Sequence, residues 1–344
     1  WRAGYTLAGV MQRRHDQLPL IFAGLMGLAL LLYGLLDGLD LGVGVLMRRA
    51  ESADKDMMIA SIGPFWDANE TWLVLGIGLL LVAFPAAHGI ILGKLYIPVA
   101  ILLMGLILRG VAFDFRVKAK ADHKPVWNAI FYLGSLLASL AQGFMLGHYL
   151  MNFADTWTAY LYSGFIALCF VAGYALLGAC WLIMKTEGFL RQRAVRWARG
   201  ALWLTASGIA AISLATPLVS ERMAERWFSL PNLFFLLPVP ILTTAIVFML
   251  DRVLSTMQNA AQERHNWVPF AGTVALFMLA SGGLAYSLFP YLLMDQMTIW
   301  EAAAAPEALR VVLIGALVVL PVILAYTAYS YRVFWGKAEP LAYR

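Results

Sequence analysis

Residues 63–72 read GPFWDANETW and run straight into LVLGIGLLLVAFP at 73–85. An apolar stretch of this length is close to the roughly 20 residues a helix needs to cross the hydrocarbon core. It opens on an Asp, an Asn and a Glu set between two tryptophans. The rest of the chain has the same character. Of its 344 residues 62% are hydrophobic and 13% charged, against roughly 25% charged in soluble domains. The sequence therefore predicts an all-α integral membrane protein, since helices satisfy every backbone polar group within the span and the alternating short strands of a β-barrel are absent.

Nine spans are expected, at 20–46, 67–84, 95–113, 128–151, 160–184, 200–219, 233–250, 268–293 and 310–333. The longest connection, KTEGFLRQRAVRWAR at 185–199, reads as a basic amphipathic loop, and no soluble domain is left over. Residues 1–17 are read as an extramembrane segment. They lack an Ala-x-Ala-like cleavage site behind a short apolar core and are not taken as a signal peptide.

Short cytoplasmic loops accumulate Lys and Arg. The loops after spans 1, 3, 5 and 7, with the C-terminal tail including Arg332, hold 17 of the 25 Lys and Arg; those after spans 2, 4, 6 and 8 hold about four. The expected topology is N-terminus outside and C-terminus inside, although Arg2, Arg13 and Arg14 run against it. The formal charge of +5 then reflects topology and contact with the lipid bilayer, with no nucleic-acid partner. Cys169 and Cys180 lie eleven residues apart in one span, about 16 Å along a helix, too far for a disulfide.

A carboxylate inside a membrane span is costly and marks a functional candidate. Asp37 and Asp40 in DGLDLGVGVL (37–46), Asp67 at the start of span 2 and Asp114 in RGVAFDFR (109–116) all fall at the cytoplasmic side. Asp37 and Asp40 share a helix face, as do Asp67 and Glu70. A proton entrance needs such a gathering of acids. A helix cap would explain Asp67 and Glu70 alone, and ion pairing with Arg109, Arg116 or nearby lysines would make some of the acids structural. Trp66 reads as an interface anchor, while Trp72, deeper, needs a partner for its indole N–H. No two histidines pair at mid-membrane depth, so haem ligation within the chain is not expected. No Cys-x-x-Cys, P-loop, dinucleotide-binding or nucleophile-elbow motif occurs.

DGLDLGVGVL, GPFWDANETW, RGVAFDFR, MTIWEA (297–302) and VVLPVILAYTAYSYRVFWGK (318–337), in that order, resemble subunit II of the cytochrome bd-type quinol oxidases, including the cyanide-insensitive branch. The resemblance implies two four-helix bundles plus one peripheral helix, divided as 18–155, 156–300 and 301–344. It implies a bacterial inner-membrane location and a partner, subunit I, that carries two haems b, one haem d and the quinol-oxidising loop. No cofactor is then bound directly by this chain and no catalytic centre is expected in it. A structural quinone or lipid between the helices and a small single-helix accessory subunit are left open. The complex oxidises quinol and reduces dioxygen to water with cytoplasmic protons. The family's proton route, carried over, falls on Asp67 with Trp66 and Trp72, and on Asp114; Asp37 and Asp40 fall on its Asp-Gly-x-Asp motif. Phe65, where some relatives have His, and Glu70, where Gln is common, depart from the pattern. The expectation is that Asp67, partly desolvated, takes up protons and passes them through Asp114 toward subunit I. A proton-coupled secondary transporter is the alternative class, which predicts broken helices in two repeated halves; a purely structural scaffold is the third.

Overall fold

The computed structural model describes residues 7–219, 221–259 and 265–339. Residues 1–6 of the N-terminal segment lie outside that range; from Leu7 the backbone is helical and continuous with span 1. Among the described residues nine helical stretches are long and apolar enough to cross a membrane. The spanning helices are α1 (Leu7–Leu46), α3 (Trp66–Ala83), α4 (Pro85–Lys118), α5 (Lys124–Leu150), α6 (Trp157–Lys185), α7 (Gly188–Val219), α10 (Pro238–Asn259), α11 (Val268–Leu288) and α13 (Pro306–Val333). Short helices α2 (Ser52–Ile62), α8 (Glu221–Phe228), α9 (Asn232–Leu236) and α12 (Ile299–Ala302) connect them, and a small antiparallel ribbon, β1 (Tyr291–Leu293) with β2 (Met297–Thr298), precedes α12.

Helices α1, α3, α4 and α5 pack as one group and α6, α7, α10 and α11 as another, joined where α6 lies against α1 and α5. One apolar core runs through both groups, from Leu39 and Phe131 to Leu182 and Leu250. Helix α13 stands at the side, touching α1 and α3, and is largely exposed.

Two boundaries differ from expectation for local reasons. Residues 188–199 are the first three turns of α7 rather than a loop: Leu, Arg, Gln and Ala are good helix formers, and Gly188, at φ 59°, takes the left-handed conformation that lets the chain reverse after α6. Span 3 begins ten residues early because Pro85 fits the first turn of a helix. Span 7 is interrupted at Leu237, where α9 has ended at Leu236 and α10 starts on Pro238.

The approach of α1 to α6 positions the acids. Gly38 and Gly42, one turn apart, press on Tyr174: a Cβ at Gly38 would come within 2.6 Å of the Tyr174 ring, and one at Gly42 would overlap the Tyr174 carbonyl. Gly178 answers from α6, its own Cβ position overlapping the backbone at Gly42 and Val43. Small residues at this spacing let helix backbones meet in a membrane. With its glycine face on α6, α1 presents Asp37 and Asp40 elsewhere, among α3 and α4.

Outside the spans, the Asp56 carboxyl of α2 ties α2 to the far end of α4 and the start of α5, with Arg116 Nη2 at 2.7 Å and Lys124 Nζ at 3.3 Å. Partial burial opposes its ionisation, but the two cations outweigh it and hold the carboxyl below its ordinary range. A carboxyl depressed in the folded state stabilises at neutral pH, and that contribution is lost as pH falls through the folded value. Asp56→Asn is expected to lower thermal stability at pH 7 by about 0.2–1 kcal/mol, because the side chain is half exposed. The gap from the unmodified protein should close below about pH 4 in melting curves run at stepped pH.

Candidate functional site

Three carboxyls and one guanidinium meet where the end of α1 faces α3 and α4. Asp37 and Asp40 are both 0% exposed and Arg109 is 1% exposed. Arg109 Nη2 lies 2.6 Å from Asp37 Oδ1 and also binds Glu70 Oε1. Asn69, buried beside them, donates from Nδ2 to Asp40 Oδ2 at 2.8 Å and to the Leu36 carbonyl at 3.2 Å. Its own Oδ1 accepts from the Tyr331 hydroxyl of α13 at 3.2 Å.

The sequence motifs explain the convergence. Asn69 and Glu70 sit on the first two turns of α3, just after the Pro64–Phe65 entry, so GPFWDANETW aims polar side chains inward rather than merely capping a helix. Arg109 opens RGVAFDFR near the end of α4. The Trp66 ring faces the Arg109 guanidinium at 6.0 Å and packs on Phe113 at 4.9 Å, a desolvated cation–π contact that goes beyond anchoring at an interface. Trp72 is buried against Ala29 and Tyr33 and lines an apolar cavity of about 250 Å³ shared by α1, α3 and α13. Tyr33 adjoins Asp37, accepts from Gln142 Nε2 at 3.0 Å, and Gln142 accepts from Tyr174 at 2.6 Å.

Asp67 and Asp114 stand apart from this set: both are exposed on the surface of the chain. The expected partial desolvation of Asp67 is not provided by this chain: two residues before Asn69 on α3, its side chain points away from the face that Asn69 buries. Nor does Arg116 pair with Asp114; it turns to Asp56 and Asn128. Glu70, its side chain 27% exposed, is the group that touches both the surface and the buried cluster, one helical turn from Asp67.

Charges in the cluster do not balance by count, with one guanidinium against three carboxyls. Asp40 Oδ1, Arg109 Nε and Nη1, and Ser135 Oγ make no hydrogen bond within the described residues, and Asp37 has the Arg109 guanidinium and the neighbouring Tyr33 hydroxyl as its partners. Buried polar atoms are ordinarily satisfied, and where protein does not do it ordered water does. Adding or removing a proton here changes the number of buried charges.

Residues 18–334 match the family described as Cytochrome bd terminal oxidase subunit II. The chain belongs to that family. It is 29% identical to cytochrome bd ubiquinol oxidase subunit 2 of Bacillus subtilis over 90% of this chain and 94% of the relative. It is 25% identical to cytochrome bd-I ubiquinol oxidase subunit 2 of Escherichia coli over 94% and 96%. The bd oxidase structure from Geobacillus thermodenitrificans shares the fold, with TM-score 0.66 at 11% identity, over 92% of this chain and 98% of that one. The chain is thus a subunit of a cytochrome bd quinol oxidase, a respiratory terminal oxidase, and the resemblance seen in its motifs holds over its whole spanning region. Membership of an oxidase family answers the transporter alternative. Among the histidines with described side chains only His148 is buried; its ring stacks on Tyr160 at 5.5 Å and on Phe144. No group of three His, Cys, Asp or Glu that could hold a metal occurs among the described residues.

Sequence reasoning passed over Asn69, Tyr331 and the glycines at 34, 38 and 42. The glycine spacing of four was a legible signal. The polar reach of Tyr331, in an apolar helix at the edge of the bundle, carried no local mark.

Proposed function

We propose that this subunit scaffolds the haem-bearing subunit I and conducts cytoplasmic protons toward it, with Glu70 as the connector between surface and interior. The haems of the family belong to the partner, where they supply electron transfer and oxygen reduction. In this chain Asp67 and Asp114, exposed at the cytoplasmic mouth, collect protons. Glu70 hands them inward past Arg109 to Asp37 and Asp40, with water at the unpaired Asp40 oxygen completing the chain. The subunit crosses the bacterial inner membrane with its C-terminus in the cytoplasm, and the apolar cavity beside Trp72 is where a structural quinone or lipid would lie. The observation that carries the reading is the buried acid cluster around Arg109, linked to the surface through one partly exposed carboxyl, Glu70.

The test uses the assembled oxidase with haem content verified. Asp67→Asn, Glu70→Gln and Asp37→Asn are each expected to lower both oxygen consumption and membrane-potential generation, by about tenfold or more at Asp37 and Glu70 if they transfer protons directly. Wild-type rates and potential in all three, with haems present, would refute proton conduction. Loss of haem instead would assign the acids to assembly.

A further inference from the structure

The Lys185 side chain, on the last turn of α6, is 5% exposed and forms no salt bridge to a carboxylate among the described residues. Burying an ammonium in this way is costly unless its protons are taken up. All three are. Nζ donates to the carbonyls of Phe334, Trp335 at 3.3 Å and Gly336 at 3.0 Å, just past the end of α13. It also lies 4.9 Å from the Trp181 ring centre and 5.7 Å from that of Phe65. The tail reciprocates: Ala338 N–H donates to the Lys185 carbonyl at 2.8 Å, and Lys337 Nζ to the Thr186 carbonyl at 3.0 Å.

A cation at a helix C-terminus satisfies the last carbonyls and complements the dipole, but here it comes from another helix. One turn before this clamp lies Tyr331. Its ring stacks on Phe65 at 4.4 Å and meets Trp181 edge-on at 6.0 Å, while its hydroxyl holds Asn69, whose amide holds Asp40. At its other end α13 is anchored by buried Leu309 and by the Ala304 N–H bond to the Ala83 carbonyl, and the turns between are largely exposed, so the Tyr331 end is set locally by the tail.

We infer that Lys185 is a positioning residue: by clamping residues 334–338 it sets the C-terminal end of α13 so that the Tyr331 hydroxyl orients Asn69 and fixes the Asp40 carboxyl in the buried cluster. The inference rests on the proton route proposed above. Asp40 is faced by Asp37 on its own helix, by Asn69 and Glu70 of α3, by Arg109 of α4 and by Tyr331 of α13; Lys185 is faced by Lys337. Of these, the tail controls Tyr331.

The assembled oxidase carrying Lys185→Met, Lys185→Arg, Tyr331→Phe or Lys185→Met with Tyr331→Phe provides the test, by hydrogen exchange of 334–338 and by the pH profile of oxygen consumption. Loss of charge-assisted hydrogen bonds should speed exchange of the Ala338 amide about tenfold or more in Lys185→Met. The pH profile should move as it does in Tyr331→Phe, the double variant should match either single one, and Lys185→Arg should restore both readouts. Ala338→Pro, which removes the tail N–H without touching the core, should move the profile the same way and serves if Lys185→Met does not assemble. Unchanged tail exchange, or a profile that moves in Tyr331→Phe but stays at wild type in Lys185→Met and Ala338→Pro, overturns the clamp. Asp40→Asn separates the two ideas: if it leaves the profile at wild type, the proton route and the clamp's role in it both fall; if it alters the profile while the clamp variants do not, only the clamp falls.

Discussion

Arg109→Met should destabilise the protein by about 3–5 kcal/mol, because removing one partner of a buried ion pair leaves the others as uncompensated charges. Arg109 is the one cation against Asp37 and Glu70, and it also packs on Trp66. Thermal unfolding of the assembled oxidase in detergent measures the effect. Arg109→Met combined with Asp37→Asn should recover a substantial part of the loss, since an apolar or neutral replacement of both partners is often tolerated. Arg48, which is exposed and only 3.5 Å from the Tyr132 hydroxyl, is the control; Arg48→Met should fall within about 0.5 kcal/mol of wild type. An Arg109→Met protein that melts with wild type would show the cluster to be held by packing alone.

Gly42→Ala should be nearly as damaging despite adding a single methyl group. At most sites an extra methylene in a packed interior costs about 1–3 kcal/mol. Here the new Cβ overlaps the Tyr174 carbonyl, and Gly178 stands on the opposite side, so relief requires α1 and α6 to separate. Such separation would also disturb Asp37 and Asp40, and reduced yield of assembled, haem-loaded complex is expected. Gly24→Ala, in the same helix with nothing near its Cβ position, should be neutral or slightly stabilising, by up to about 1 kcal/mol. Equal yields for the two variants would remove the close approach of α1 and α6 from the account.

Much of the fold was open to reading from the chain. Apolar run lengths locate the spans because nothing but a helix satisfies the backbone in lipid. One misreading occurs where a helix continues into polar sequence: the Arg-rich 188–199 looks like a loop by charge, yet its residues favour helix and pack Leu190, Ala194 and Val195 inward. The acids of the candidate site were equally visible, because a carboxyl in an apolar run stands out one residue at a time.

Their ranking was not visible. Asp67, which draws attention in GPFWDANETW, lies on the surface of this chain, while Asn69 and Glu70 two and three residues later enter the interior. Sequence by itself determined an all-α spanning protein, the family, and which residues carry charge into the membrane. Tertiary structure decided which of those charges meet. Asp37, Glu70, Arg109 and Tyr331 are separated by 33, 39 and 222 residues along the chain; the meeting of the first three, and the reach of Tyr331 to Asp40 through Asn69, depend on the glycine-mediated seating of α1 and the clamped end of α13. Those are properties of helix rotation and depth, which are set by packing between helices, and no local pattern within one helix encodes them.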